Sequence, residues 1–278
     1  MYRDAYLKTE SNVQYHADRS AVSKSRLSRM AVCPAYFKYC EDAPPSKTTD
    51  LIFGSLFHKL VLEPDGVSDE FAVAPEVDRR TKLGKNALSE FEQSVGDRDV
   101  VTNDMMLQAI GMKEAVFANP RALKLLRVNT VVEQSVYFRD DVTGELCKCR
   151  PDARKSLGGR IIITDLKSCQ SAKSEGFTRD VERYGYDLQA LMYRLGVSKA
   201  MGVVPSMIDF VFVAVEKKPP YLLNIFRADD SIFRSGEAKF REYMDVYHEC
   251  RESGKWYGLN GKNNDIIELT LTKGEHNE

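Results

Sequence analysis

Apolar positions change their spacing partway along the chain, dividing it into a helical first half and a strand-rich second half. Between Ser20 and Tyr39, Leu27, Met30 and Ala31 recur at three- and four-residue intervals until Cys33-Pro34 interrupts them. This predicts a helical opening, with a turn following at Ala43-Pro44-Pro45. Leu51–Leu62 is apolar on almost every side, so it reads as a buried helix ended by Glu63-Pro64, with His58 embedded in it. Residues 65–100 are polar and irregular, and helical periodicity resumes over residues 103–127. From Thr130 the pattern becomes that of strands. Val131–Phe138, Leu146–Arg150 and Arg160–Lys167 are short, rich in Val, Ile, Tyr and Phe, and separated by turn residues such as Asp140-Asp141 and Gly158-Gly159, as in a meander. Phe177–Leu195 predicts a helix stopping at Gly196, Ile208–Val215 an apolar strand paired with Tyr221–Phe226, and Ser231–Arg251 a final helix. Neither an internal repeat nor a low-complexity linker breaks this order. Residues 1–278 are therefore expected to form a single α/β domain: a helical N-terminal layer over 20–128, a sheet-and-helix core over 130–256, and a polar tail over 258–278.

Composition removes several classes. With 278 residues, 43% of them hydrophobic and 29% charged, the chain can bury a large apolar core without staples. Its longest apolar stretches, such as Ile161–Ile163 and Phe210–Val215, fall far short of the roughly 18 residues of a membrane helix. The start, Met1-Tyr2-Arg3-Asp4, lacks the apolar core of a secretory signal, so no membrane partner and a cytoplasmic location are expected. The six cysteines, Cys33, Cys40, Cys147, Cys149, Cys169 and Cys250, show no C-x-x-C spacing and read as reduced thiols. A net charge of -1 argues against a wholesale electrostatic grip on nucleic acid, but a channel needs only a local basic stripe.

Candidate chemistry concentrates between Arg150-Pro151-Asp152 and Thr164-Asp165-Leu166-Lys167. If Gly158-Gly159 is a two-residue hairpin turn, Leu157 pairs with Arg160, and counting outward sets Asp152 opposite Asp165. Opposed side chains lie about 4.5–5.5 Å apart at Cβ, where two carboxylates repel unless a cation lies between them. Alternation puts Asp165 and Lys167 on one face, with Ile161 and Ile163 continuing that row into the core. An incomplete oxygen-ligand site favours Mg²⁺, with Mn²⁺ as a substitute. Such an ion can polarise a phosphodiester, while Lys167 orients water or stabilises developing charge. The plainer reading makes Asp152 a turn residue and Asp165/Lys167 a surface pair; the apolar strand leading into Asp165 weighs against it. Tyr186, Gln189 and Tyr193 share one helix face, offering phosphate donors and a ring for stacking on a base, although an amphipathic helix with some Tyr is common in any core.

Asp152, Asp165-Leu166-Lys167 and Gln189-Ala190-Leu191-Met192-Tyr193, preceded by Gly54-Ser55-Leu56-Phe57-His58, resemble the PD-(D/E)XK nuclease superfamily in its RecB-like branch. The segments Arg79-Arg80-Thr81-Lys82-Leu83-Gly84-Lys85 and Val215-Glu216-Lys217-Lys218-Pro219-Pro220-Tyr221 make the likeness greatest to the RecE-type (exonuclease VIII) nuclease domain, over about Ser20 to Trp256. The resemblance implies a PD-(D/E)XK core: a central mixed β-sheet flanked by helices under a helical N-terminal layer. It implies His58, Asp152, Asp165 and the Leu166 backbone carbonyl as metal ligands, and Lys167 beside the attacking water. Gln189 and Tyr193 would position the DNA strand or the water, with Tyr186 on the same face, and Glu133 would support the site. Arg79, Arg80, Lys82 and Lys85 would grip phosphates, against the reading of that run as a solvated loop. The shorter Asp165 replaces the glutamate common in the superfamily, as in the RecE-like group. Iron–sulfur relatives carry three cysteines near the C-terminus, where this chain has Cys250 alone, so no iron–sulfur cluster is expected.

Together these residues imply a Mg²⁺-dependent exodeoxyribonuclease acting on double-stranded DNA ends. It would run 5′-to-3′ and leave 3′ single-stranded tails for a single-strand annealing protein. The resemblance implies a homo-oligomeric ring, trimeric or tetrameric. A structure-specific or restriction-type endonuclease on the same fold, and a non-catalytic DNA-binding subunit, are the competing readings.

Overall fold

The computed structural model describes residues 4–43, 47–263 and 266–269, so the expected turn at Pro44-Pro45 lies outside the described residues. In chain order the first half holds β1 (Ala5–Lys8), α1 (Asn12–Ala17), β2 (Val22–Ser23), α2 (Lys24–Leu27), α3 (Pro34–Asp42) and α4 (Thr49–Leu62). It continues through α5 (Val67–Glu70), β3 (Phe71–Val73), α6 (Lys82–Val95), β4 (Asp99–Val101), α7 (Asn103–Ala118) and α8 (Pro120–Leu126). The second half holds β5 (Val131–Val132), β6 (Ser135–Arg139), β7 (Leu146–Cys149), β8 (Ala153–Leu157), β9 (Arg160–Cys169), α9 (Ser174–Tyr184) and α10 (Tyr186–Met201). It closes with β10 (Ile208–Glu216), β11 (Leu223–Arg227) and α11 (Asp230–Ser253).

The centre is a five-stranded mixed sheet in the order β11-β10-β9-β8-β5. The β8–β9 hairpin turns at Gly158-Gly159, both with positive φ, and pairs Leu157 with Arg160 through to Ala153 with Thr164. That is the register read from the sequence. The chain crosses over through α9 and α10, and β10 returns parallel to β9, from Ile208 opposite Ile161 to Glu216 opposite Cys169. Because strand side chains alternate, one face carries Ile161, Ile163, Phe210 and Phe212, and the other carries Ala153, Leu166, Val213 and Val215. The first face packs on α10 and α11. The second packs on α4 and α7, whose Phe57, Leu60, Val61 and Met112 are buried. Each of these side chains contributes about 1.5–3 kcal/mol when withdrawn from water. A four-stranded sheet, β1-β6-β7-β2, covers the outer side of α10.

Four sequence expectations change. Residues 65–100 are not irregular: β3 and β4 pair in parallel, and α6 starts on Thr81, whose Oγ1 accepts from Gly84 N at 3.0 Å. The stripe Leu88, Phe91 and Val95 carries helical spacing through a segment otherwise polar enough to look like a loop. Val131–Phe138 is two strands, split at Glu133, whose φ of 49° redirects the chain from the central sheet to the second one. The helix over Phe177–Leu195 breaks at Gly185 (φ 64°) and does not stop at Gly196. A Cβ on Gly196 would meet Phe138 at 2.8 Å and Cys149 Sγ at 3.0 Å, so that glycine marks a close approach to the second sheet, and Gly202 (φ 65°) supplies the stop. The opening at Ser20–Tyr39 is likewise divided, with Pro34 beginning α3 as its first residue. Among the described residues, no helix is long and apolar enough to cross a membrane.

Candidate active site

The hairpin places Asp152 just beyond the last paired residue of β8, and its Oδ2 accepts from Leu166 N at 2.7 Å. That bond locks the first carboxylate onto the strand bearing the second. Asp165 projects from the core-facing row of β9 and is fully buried. Gln189 Nε2, from α10, donates to Asp165 Oδ1 at 2.7 Å, and Lys167 Nζ donates to Gln189 Oε1 at 3.0 Å. Lys167 Nζ also lies 2.6 Å from Asp165 Oδ2, an ion pair that closes the group formed by Asp165, Gln189 and Lys167. Tyr186 sets its ring 4.4 Å from Lys167 Nζ, and Tyr193 packs its ring on Phe210, 6.0 Å between centroids.

From the opposite layer, α4 brings His58 Nδ1 to 3.4 Å from Asp152 Oδ2. Glu133 joins them at the bend between β5 and β6, where its N–H donates to Asp152 O at 3.2 Å. One ligand atom from each of His58, Glu133 and Asp152 lies within 4.8 Å of the others, a spacing that could hold a metal ion. Two carboxylates and an imidazole suit a divalent cation, and Asp165, next along the site on β9, is a fourth candidate donor. Asp165 points to Lys167 and Gln189 and stands outside the closest group, where Glu133 joins His58 and Asp152. At Leu166, the N–H is the backbone group seen to be engaged by the site.

Electrostatics mark the same cluster. Burial opposes charge on His58, but Asp152 beside it outweighs this and lifts the imidazole to about 9. Asp152, also opposed by burial, is held below its ordinary value by His58 and Lys167. Asp165 is pushed up to about 6 by burial and by Asp152, against the pull of Lys167, and burial with Asp152 raises Glu133 to about 7. Lys167 is raised despite burial because Asp165 faces it, so its ammonium stays charged and donates.

Two cavities of about 310 Å³ each flank this cluster. One is lined by His58, Gly54 and Ser55, the other by Lys167, Gln189, Tyr186 and Tyr193. Asn12, His16, Glu133 and Arg150 line both. The sequence reading missed Asn12 and His16, although the signal was present: Ser11 and Gln14 form a capping box, Gln14 N donating to Ser11 Oγ at 3.1 Å and Ser11 N to Gln14 Oε1 at 2.9 Å. Lys148 Nζ, donating to the carbonyls of Tyr15 and Asp18, ties α1 over the cleft. Arg79, Arg80, Lys82 and Lys85 do not join the cluster. They are exposed at the start of α6, and none lines either cavity.

A family model described as a PDDEXK-like domain of unknown function (DUF3799) matches residues 23–268. The chain belongs to this family. Its mixed sheet, with Asp152, Asp165 and Lys167 at one hairpin, has the PDDEXK-like fold that the sequence motifs had suggested. The crystal structure of a candidate exonuclease from Eubacterium rectale is similar to this PDDEXK-like chain at 14% identity and a TM-score of 0.62. The match covers 95% of this chain and 97% of that one. The crystal structure of SSO0001 matches at 14% identity over 79% of this chain and 83% of its own, but with a TM-score of 0.29 it carries no weight. A search of curated proteins finds no match.

Proposed function

We propose that this PDDEXK-like protein is a Mg²⁺-dependent exodeoxyribonuclease that degrades linear double-stranded DNA. The observation that carries the reading is the buried junction of Asp152, Asp165, Lys167 and Gln189, in which two carboxylates share one site with a lysine held between strand and helix. Mg²⁺, with Mn²⁺ as a substitute, would be held by Asp152, Asp165, His58 and Glu133, and would supply Lewis-acid polarisation of the phosphodiester. The Leu166 carbonyl is a further candidate ligand. Lys167 holds its proton and presents a charged donor to the attacking water or to the phosphoryl oxygens as charge grows on them. Gln189 fixes Lys167 and Asp165 against each other from α10. Tyr186 and Tyr193 border the same cavity as sites for a base or sugar to pack, and Arg79, Arg80, Lys82 and Lys85 offer exposed charge to more distant phosphates.

Action on DNA ends is supported by the motif resemblance to RecE-type enzymes and by the candidate-exonuclease neighbour. The same resemblance supports 5′-to-3′ polarity, 3′ tails passed to a single-strand annealing protein, and a trimeric or tetrameric ring. Digestion of a linear duplex labelled separately at its 5′ and 3′ ends, with Mg²⁺ or EDTA and a closed circular control, tests the reading. Mg²⁺-dependent release of 5′ label with circles spared is expected. Cut circles would replace it with an endonuclease, and no cleavage by folded protein would replace it with a binding subunit.

A further inference from the structure

Arg150 is a buried cation in the cleft that the chemistry above leaves unused. Its side chain is 9% exposed. Nε donates to Glu133 Oε2 at 2.7 Å, while Nη1 has no hydrogen-bond partner among the described residues. A guanidinium N–H withdrawn from water and left unmatched is unfavourable, so it calls for an acceptor that arrives from outside.

Its position narrows what that acceptor is. Arg150 follows directly on β7 and precedes Pro151-Asp152, so the backbone that sets the first carboxylate also sets the guanidinium. The side chain lines both cavities, between the His58 side and the Lys167–Gln189 side. Glu133 fixes one edge of its plane, and the Tyr15 ring lies 5.8 Å from its centre. Among the cations here, Lys167 is engaged by Asp165 and Gln189, and His58 by Asp152. Arg150 keeps a free donor, and a planar guanidinium matches phosphate geometry better than a point charge does.

We infer that Arg150 binds a non-bridging oxygen of a backbone phosphate of DNA seated in the cleft, with Glu133 acting as its positioning residue. This rests on the phosphodiester reading above. The pair thus has a division of labour: Glu133 holds Nε, and the guanidinium edge away from Glu133 meets the substrate.

The test measures binding of a short linear duplex in an Asp165→Ala background with Mg²⁺, where cleavage is blocked. Arg150→Gln is expected to weaken binding about 10- to 100-fold. Arg150→Lys, which keeps a cation beside Glu133 and guards against loss of the fold, is expected to recover part of that. The discriminating arm replaces single phosphates with neutral methylphosphonates at each of the first three linkages from either end. At one of these linkages the substitution should weaken binding to the Arg150 protein, and on that duplex Arg150→Gln should add almost nothing. A merely structural arginine would lower affinity for all duplexes by the same factor, and that result, or unchanged binding, overturns the inference while leaving cleavage by the unmutated protein intact. If the unmutated protein neither binds nor cuts linear duplex, the nuclease reading falls and this inference falls with it.

Discussion

Helix α10 has a buried aspartate at each side, and the two live under opposite conditions. Asp187, on the helix itself, receives Leu188 N at 2.8 Å, Ser235 Oγ at 2.6 Å and Lys239 Nζ at 2.6 Å. Burial opposes its charge, but the bonds from Lys239 and Ser235 win, and it is held below its ordinary value. Asp165, facing the helix from β9, has Gln189 and Lys167 for company but is fully buried and stands near the Asp152 carboxylate, so burial and like charge win and it rises to about 6. Similar neighbours, a lysine and one further side chain, give opposite outcomes. The difference is the company of like charge: Asp187, held by a lysine and a hydroxyl, fastens α10 to α11, whereas Asp165 shares its pocket with a second carboxylate and is held ready for a cation.

The widest gap between the two should appear in catalysis. Asp165→Ala and Lys167→Ala are each expected to cut the cleavage rate by about a hundredfold or more while barely moving the melting temperature. Full cleavage by folded Asp165→Ala would erase the contrast. Asp187→Ala should do the reverse, losing about 2 kcal/mol of stability in a denaturant titration while each folded molecule keeps its activity. Next in size is Gly236→Ala, where the new Cβ would stand 2.3 Å from the Asp187 carbonyl oxygen. Forcing α10 and α11 apart at that point should cost about 1–3 kcal/mol, read from the same titration.

A smaller effect follows pH. Because the folded protein holds Asp187 below its unfolded value, the stability it contributes is present above about pH 4 and is lost as pH falls through the lowered folded value. The margin of the unmutated protein over Asp187→Asn should therefore be full at neutral pH and shrink below about pH 4 in thermal melts. An unchanging margin would show that the bonds to Asp187 do not favour its charged form. Smallest is Arg80→Ala, at an exposed position outside both cavities: one lost phosphate contact should reduce the salt slope of DNA binding by about 0.9. An identical slope would leave the basic run solvated.

The contrast also shows what was readable in the chain. The Gly158-Gly159 turn specifies a register by counting alone, so the neighbourhood of Asp152 and Asp165 is legible in the sequence. The shared face of Tyr186, Gln189 and Tyr193 was equally accessible from helical spacing. Glu133 at the centre of the ligand group was harder, because its placement depends on a positive φ that breaks an apparently continuous strand. Arg150 was hidden for another reason: its interest lies in an unmatched N–H, which only three-dimensional accounting exposes. Asn12 and His16 come from far upstream, brought over the cleft by the pairing of β1 with β6 and by Lys148. α6 was overlooked because most of its surface is polar.

Strand β9 has one more consequence, for how this protein can change over generations. It serves as a ruler with two scales: odd positions run Ile161, Ile163, Asp165, Lys167, and Leu166 belongs to the opposite core. Substitutions along it alter one mark at a time. A single inserted or deleted residue between Ile161 and Asp165 would exchange the scales, turning Asp165 and Lys167 into one apolar core and Leu166 toward the site. The length of this segment is therefore held more tightly than its composition, and lineages of this chain should accommodate indels at the Gly158-Gly159 tip while excluding them a few residues further on.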